Sequence, residues 1–298
     1  MLTLWLLTSV TFLLGHLAPG SPVDIILGQH SAPETRRQLE REYGLDQPLP
    51  RQYWRYLSGV ARGDFGESFR YRRPVRAVIR ERYPETLKLA VTAMVLAVLL
   101  GAPLGLLAAV KQHGWADRLA VGTALIGVSL PTFVIGPLLI LIFAQWLGWV
   151  PVAYGGRWAE LLLPALTLGA RPAALIARLT RASFVDALRQ DYVRTARAKG
   201  AGAARALLAH AGRNALLPVL TVIGTSFGYL LSGSFVVETI FAVQGLGFIS
   251  IASIGFRDYP VIQAVTLLAA AVFIAVNLLV DLAYGILDPR LRVARAGA

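Results

Sequence analysis

Between Leu119 and Val150 this chain carries no charged residue, and Leu89 to Val110 carries none either. A helix crosses the roughly 30 Å hydrocarbon core of a bilayer with about 20 apolar residues, and both runs are long enough. Inside a bilayer the backbone must satisfy its own N–H and C=O groups, so such runs fold as helices. Leu161–Leu179, Ala215–Phe241 and Val261–Leu287 are further apolar segments of span length. With 56% hydrophobic and only 15% charged residues among 298, the chain lies outside the range of soluble domains. It reads as an all-α membrane protein.

The earliest apolar segment, Leu2–Leu17, is about 24 Å long as a helix. It lacks the basic residues that precede a signal peptide, and Pro19-Gly20-Ser21-Pro22 is a poor small-residue cleavage site. We read 1–18 as a first transmembrane helix whose start is missing from the sequence, which gives six transmembrane helices. Pro131 and Pro137 should kink the long uncharged run. In the fifth span Gly224, Gly228 and Ser232 recur at every fourth residue and favour close helix contact.

Basic residues set the orientation. The turn Lys111–Arg118, the stretch 182–214 and the tail 289–298 (Arg290, Arg292, Arg295) carry them, whereas Pro151–Glu160 and the turn at Arg257 hold one arginine each. The first group therefore faces the cytoplasm. That leaves 19–85 as a long extracytoplasmic loop, where the rule weakens with length; Glu34–Tyr43 and Gln52–Val60 have helical spacing within it. Residues 86–288 form the core of five helices.

The net charge of +12 would suggest nucleic acid in a soluble chain, but here the cations sit between spans and no span-free basic domain exists to bind it. There is no cysteine, so thiolate chemistry and disulfides are excluded. The four histidines, His16, His30, His113 and His210, are too scattered for a metal cluster. No phosphate-binding Gly-x-x-x-x-Gly-Lys-Ser/Thr occurs, and Ser232-Gly233-Ser234 has no nearby base. We expect no catalytic residues, no cofactor and no metal.

The distinctive polar feature lies between the fourth and fifth spans. Asp191-Tyr192-Val193-Arg194-Thr195-Ala196-Arg197-Ala198-Lys199-Gly200 is followed by His210-Ala211-Gly212-Arg213-Asn214-Ala215-Leu216-Leu217-Pro218. Polar helices this short are marginal alone, so a helix, a glycine turn and a second helix should form a knob packed against something. Gly200 can take the positive φ of the turn, and Asn214 is placed to cap the fifth span. Tyr192, Val193 and Leu207 offer apolar anchors, and Ala196 and Ala198 allow close backbone approach.

This stretch resembles the coupling loop of ABC-importer permeases, in the wording of the dipeptide/oligopeptide/nickel branch. Tyr43-Gly44-Leu45-Asp46-Gln47-Pro48, Gly63-Asp64-Phe65-Gly66-Glu67-Ser68, Asp258-Tyr259-Pro260-Val261 and Asn277-Leu278-Leu279-Val280-Asp281 resemble the same branch. The order of elements is similar to the first of its two permeases. Two departures stand out: Arg194-Thr195-Ala196 replaces the general Glu-Ala-Ala, and Gln244 stands where a proline often precedes Gly245-Leu246-Gly247.

The resemblance implies a type I importer permease fold and a non-catalytic subunit of the bacterial cytoplasmic membrane. Its implied partners are a second permease subunit forming a hetero-dimer, two ATPase subunits that hydrolyse the ATP, and an extracytoplasmic substrate-binding protein. It implies that Tyr192, Arg194, Thr195, Ala196, Lys199 and Gly200 couple the chain to the ATPase. The implied cargo is a di- or oligopeptide, with nickel chelates, glutathione and oligosaccharides as alternatives.

Arg171 lies within the fourth span, where a charge is costly unless it meets water, a partner or a pathway. It is a candidate for the translocation path, attracting an anionic group such as a peptide carboxylate; a structural ion pair is the other reading. Asn277 and Asp281, one helical turn apart, are expected to make a polar contact. An ion-coupled secondary transporter would want paired intramembrane acids, and only Asp281 comes close. A membrane-embedded hydrolase lacks its catalytic constellation.

Overall fold

The computed structural model describes residues 2–17, 23, 27 and 33–287. The tail 289–298 and the segment Ala18–Pro22 lie outside the described residues. Among the described residues an isolated antiparallel bridge between Glu67 and Pro74 is the only departure from an all-helical chain.

Helix α1 (Leu2–Leu17) is followed by α2 (Pro33–Glu42) and α3 (Leu49–Ala61). Phe12 of α1 stacks on Tyr56 of α3 at 5.7 Å between ring centroids, and the Ser9 and Tyr53 hydroxyls share a 2.6 Å hydrogen bond. Helix α4 (Val75–Val110) begins well before the uncharged run that announced it. Its first turns are amphipathic: Val75 and Val78 are buried with Ile79 and Tyr83 beside them, packed on later helices, while Arg76 and Arg80 are exposed. Spacing of three to four residues carries that extension where average hydropathy does not.

The long uncharged run does not form one straight span. Helix α5 (Trp115–Ser129) ends before Pro131, and α6 (Thr132–Leu139) continues as a π-helical turn to Trp146. The two arms are bent by 109°. Pro131 makes the bend; Pro137 is held inside α6.

Helix α7 (Leu162–Leu188) runs into the short α8 (Asp191–Ala198), and a continuous helical segment from Ala203 leads into α9 (Gly212–Leu231). The apolar segment expected to reach Phe241 breaks at Ser232–Ser234, where Gly233 has φ +103°. Helix α10 (Phe235–Ile240), α11 (Leu246–Gly255) and α12 (Tyr259–Leu287) complete the chain. Four helical stretches are long and apolar enough to cross a membrane, or five if the bent pair counts as one span. The remaining expected span corresponds to α1, which has 16 residues.

Small residues let the central helices touch. Gly101 and Gly105 of α4 lie against the carbonyls of Ala173 and Ala177 of α7, and Gly169 of α7 lies against the carbonyl of Ala93. Gly224 and Gly228 of α9 take Val280, Phe273 and Val276 of α12. Lipid supplies no hydrophobic drive between helices, so close backbone approach of this kind is what holds them together.

Two buried acids fasten the ends. Asp258, fully buried, accepts hydrogen bonds from the Ser68 hydroxyl and from the backbone N–H groups of Phe69 (3.1 Å) and Arg70 (3.2 Å). Two distant segments singled out in the sequence are thereby joined. Glu238, also fully buried, accepts from the Thr86 hydroxyl at 3.0 Å and from the N–H of Phe248 at 3.0 Å. It satisfies the open start of α11, and Thr86 in turn accepts from the Leu246 N–H at 2.8 Å.

Candidate functional site

The knob is built by α8 and the segment after it. Asp191 in the first turn suits the positive end of the helix dipole, and Thr195 donates to its carbonyl at 2.9 Å. Gly200, at φ +86°, closes the helix: its N–H bonds the Arg197 carbonyl at 2.9 Å and the Ala201 N–H reaches back to Ala196 at 3.0 Å. This pair of bonds is the Schellman arrangement, which needs a left-handed residue and therefore favours glycine.

Val193 is fully buried with Ala206 and Ala211, against Phe184 and Ala187 of α7, Ala109 of α4 and Ala215 of α9. Such burial of a valine contributes about 1.5–3 kcal/mol. Val193 therefore anchors the knob to its own helices. Leu207 is half-buried in the same cluster. The exposed face carries Tyr192, Arg194, Thr195, Arg197, Ala198, Lys199 and Gly200, with Ala196 half-buried. Leu208, which stands unremarked in the sequence, is 62% exposed in the segment that follows; a leucine in a polar, alanine-rich stretch was the available signal. Asn214 caps nothing, since the helix is already running from Ala203 when it reaches Asn214.

A part-buried ion pair braces the knob from behind. Asp117 accepts two hydrogen bonds from the Arg181 guanidinium, one of them 2.8 Å from Nη2, and one from the His113 N–H at 3.0 Å. Arg181 lies one helical turn before Phe184, so the turn after α4 is tied to the part of α7 that packs on the knob.

Arg171 opens onto a cavity of about 660 Å³ bounded by the α5–α6 bend, α7, α9 and α10. It is the single charged residue among those lining the cavity. Among the described residues it has no hydrogen-bond or ion-pair partner, so the structural pair is not made within them. The wall otherwise mixes apolar side chains with hydroxyls, including Ser129, Thr225 and Tyr229. The Ser234 hydroxyl, also on this wall, is buried without a partner.

The expected contact between Asn277 and Asp281 is not formed. The Asn277 amide donates to the Phe273 carbonyl at 2.9 Å, the acceptor one turn back that a mid-helix polar side chain reaches most easily. Among the described residues no group of three or more metal-ligating side chains occurs.

Two family models match: "binding-protein-dependent transport system inner membrane component" over residues 101–293, and its N-terminal companion over residues 1–90. The chain is 46% identical over 290 residues to glutathione transport system permease proteins of Escherichia coli (strain K12) and Salmonella paratyphi A, covering 97% of this chain and 95% of each relative. A crystal structure of an amino acid ABC transporter with histidines has a similar fold, at TM-score 0.54 and 20% identity, over 72% of this chain and 94% of that one.

Proposed function

The chain belongs to the family of binding-protein-dependent transport system inner membrane components, and from that premise we propose that it works in the bacterial cytoplasmic membrane as one of two different permease subunits. It is a permease subunit of an ABC importer. Two ATPase subunits bind the knobs from the cytoplasmic side and hydrolyse the ATP, and an extracytoplasmic binding protein delivers the cargo. The cargo is peptide-like, a di- or oligopeptide or glutathione, the solute named for the similar permeases of E. coli and S. paratyphi A. Arg171 belongs to the translocation path.

The observation that carries this reading is the division of labour within α8. Val193 bolts the helix down, which leaves Tyr192, Arg194, Thr195 and Lys199 on the exposed surface of the helix, and Leu208 is exposed in the segment that follows. That surface offers apolar contact to the ATPase groove and cations for acidic groups on its rim. Because the chain has no native cysteine, single cysteines report cleanly. Cysteine at Thr195 or Leu208 should react with a membrane-impermeant maleimide only from the cytoplasmic side, and should cross-link to an ATPase subunit. Labelling from outside would overturn the orientation, and failure to cross-link in the assembled transporter would overturn the docking role.

A further inference from the structure

We propose that the cavity at Arg171 is a transit site for solutes carrying a free carboxylate, gripped by the Arg171 guanidinium and the Ser234 hydroxyl together; this rests on the transport reading above. Three observations converge. Arg171 is the only charge on the cavity wall, and no described acid compensates it. Ser234, in the break just before α10, lines the same cavity and keeps a buried hydroxyl without any hydrogen-bond partner. The rest of the wall is apolar or hydroxylic and carries no acid to neutralise a cation.

Arg171 is exposed where it meets the cavity, and a guanidinium within a membrane span is costly while it lacks a counterion. A carboxylate entering the cavity supplies that counterion and forms charge-assisted hydrogen bonds. Ser234 gains the acceptor it lacks, and a buried donor left unmade is itself unfavourable. Cations and cationic chelates meet an uncompensated positive charge and gain neither contact. Neutral sugars cannot neutralise the arginine. The cavity therefore selects the anionic members among the solutes open to this family.

The test uses the assembled transporter in proteoliposomes with its binding protein. ATP-driven uptake is measured for glutathione against its diethyl ester, in which both carboxylates are blocked, and for trialanine against trialanine amide. The binding protein has its own preference, but it is the same in every sample, so the acid-to-blocked ratio of a variant divided by that of wild type isolates the permease. Arg171→Gln should lower that ratio about tenfold, the loss of one charge-assisted hydrogen bond. Ser234→Ala should lower it about threefold, and Arg171→Lys should hold it near the wild-type value. An unchanged ratio in Arg171→Gln overturns the proposal while leaving the transport reading intact. Where Arg171→Gln does not assemble, an unchanged ratio in Ser234→Ala overturns it instead. No ATP-driven uptake of either free acid by wild type overturns the peptide-like transport reading and the proposal with it.

Discussion

Replacing Gly105 by alanine should destabilise the protein, although alanine is the better helix former. The propensity gain from glycine to alanine in a helix interior is about 0.8–1 kcal/mol. Against it stands the seam between α4 and α7. A methyl built on Gly105 would lie closer than 3.0 Å to the Ala177 carbonyl and 2.8 Å from Cβ of Thr180; one on Gly101 would meet the Ala173 carbonyl in the same way. Backbone carbonyls cannot rotate aside, so the two helices must separate along the most extensive helix–helix contact among the described residues. Overpacking of this kind costs about 1–3 kcal/mol, toward the upper end here, which leaves a net loss of about 2 kcal/mol for each substitution. Gly122 of α5 is the control, because nothing lies within 4 Å of a methyl built there; Gly122→Ala should be neutral or slightly stabilising. Thermal unfolding of the purified transporter in detergent reads both signs, with an expected fall of roughly 4–8 °C for Gly105→Ala on the scale known for soluble domains. Gly105→Ala as stable as wild type would show that the seam is not close-packed and refute the reasoning.

Asp258→Ala strands the N–H groups of Phe69 and Arg70 and should cost about 4 kcal/mol; limited proteolysis should then cut within 62–74, and a protease-resistant variant would count against the clamp. Arg181→Met removes the cation from the Asp117 carboxylate and, because the arginine is itself partly exposed, should cost about 1–2 kcal/mol, with part of the loss recovered in the Asp117→Asn/Arg181→Met double variant. Strictly additive losses in the double-mutant cycle would mean that the pair does not interact. Gly200→Ala forces a Cβ into left-handed backbone at a cost of about 1–2 kcal/mol, whereas Gly202→Ala, with open space and ordinary φ, should be silent; equal transport and ATPase rates in the two variants would remove the glycine turn from the coupling argument.

The apolar runs and the turn at Gly200 were legible because each rests on local chemistry: hydropathy over a bilayer's thickness in one case, a single backbone preference in the other. The early start of α4 was hidden from hydropathy, since its first turns bury only one face; the spacing of Val75, Val78 and Ile79 held the signal. Pro131 marked a break but not its angle, because a proline permits a bend whose size is decided by what the two arms pack against. Glu238 passed unremarked in an apolar segment, and the Asn277–Asp281 contact was expected from spacing but not made. Both depend on acceptors and donors brought from elsewhere in the fold, such as Thr86 from α4, and pattern along a chain does not reveal those. Val193 follows the same rule: an apolar residue on a polar helix says that something covers it, and only the fold shows that α7 does.

How a movement of the knob would reach the cavity follows from which helices are continuous. Helix α7 carries Arg171 at the cavity and Phe184 and Ala187 in the knob core, about 24 Å apart along one unbroken helix from Arg171 to Ala187. Helix α9 does the same with Ala215 at the knob and Thr225 and Tyr229 at the cavity. Between these ends α4 grips α7 through Gly101 and Gly105, and closely packed interiors transmit displacement instead of absorbing it. The opposite walls are attached differently. The α5–α6 bend is separated from its own chain by the break at Leu130-Pro131, and α10 is separated from α9 by Ser232–Ser234 while Glu238 ties it to α11 and α4. Two walls of the cavity thus belong to levers rooted in the knob, and the others to pieces held beyond backbone breaks. On the proposed reading, a pull on the knob should shift Arg171 relative to Ser234, and the pair that would grip a carboxylate sits on opposite sides of that joint.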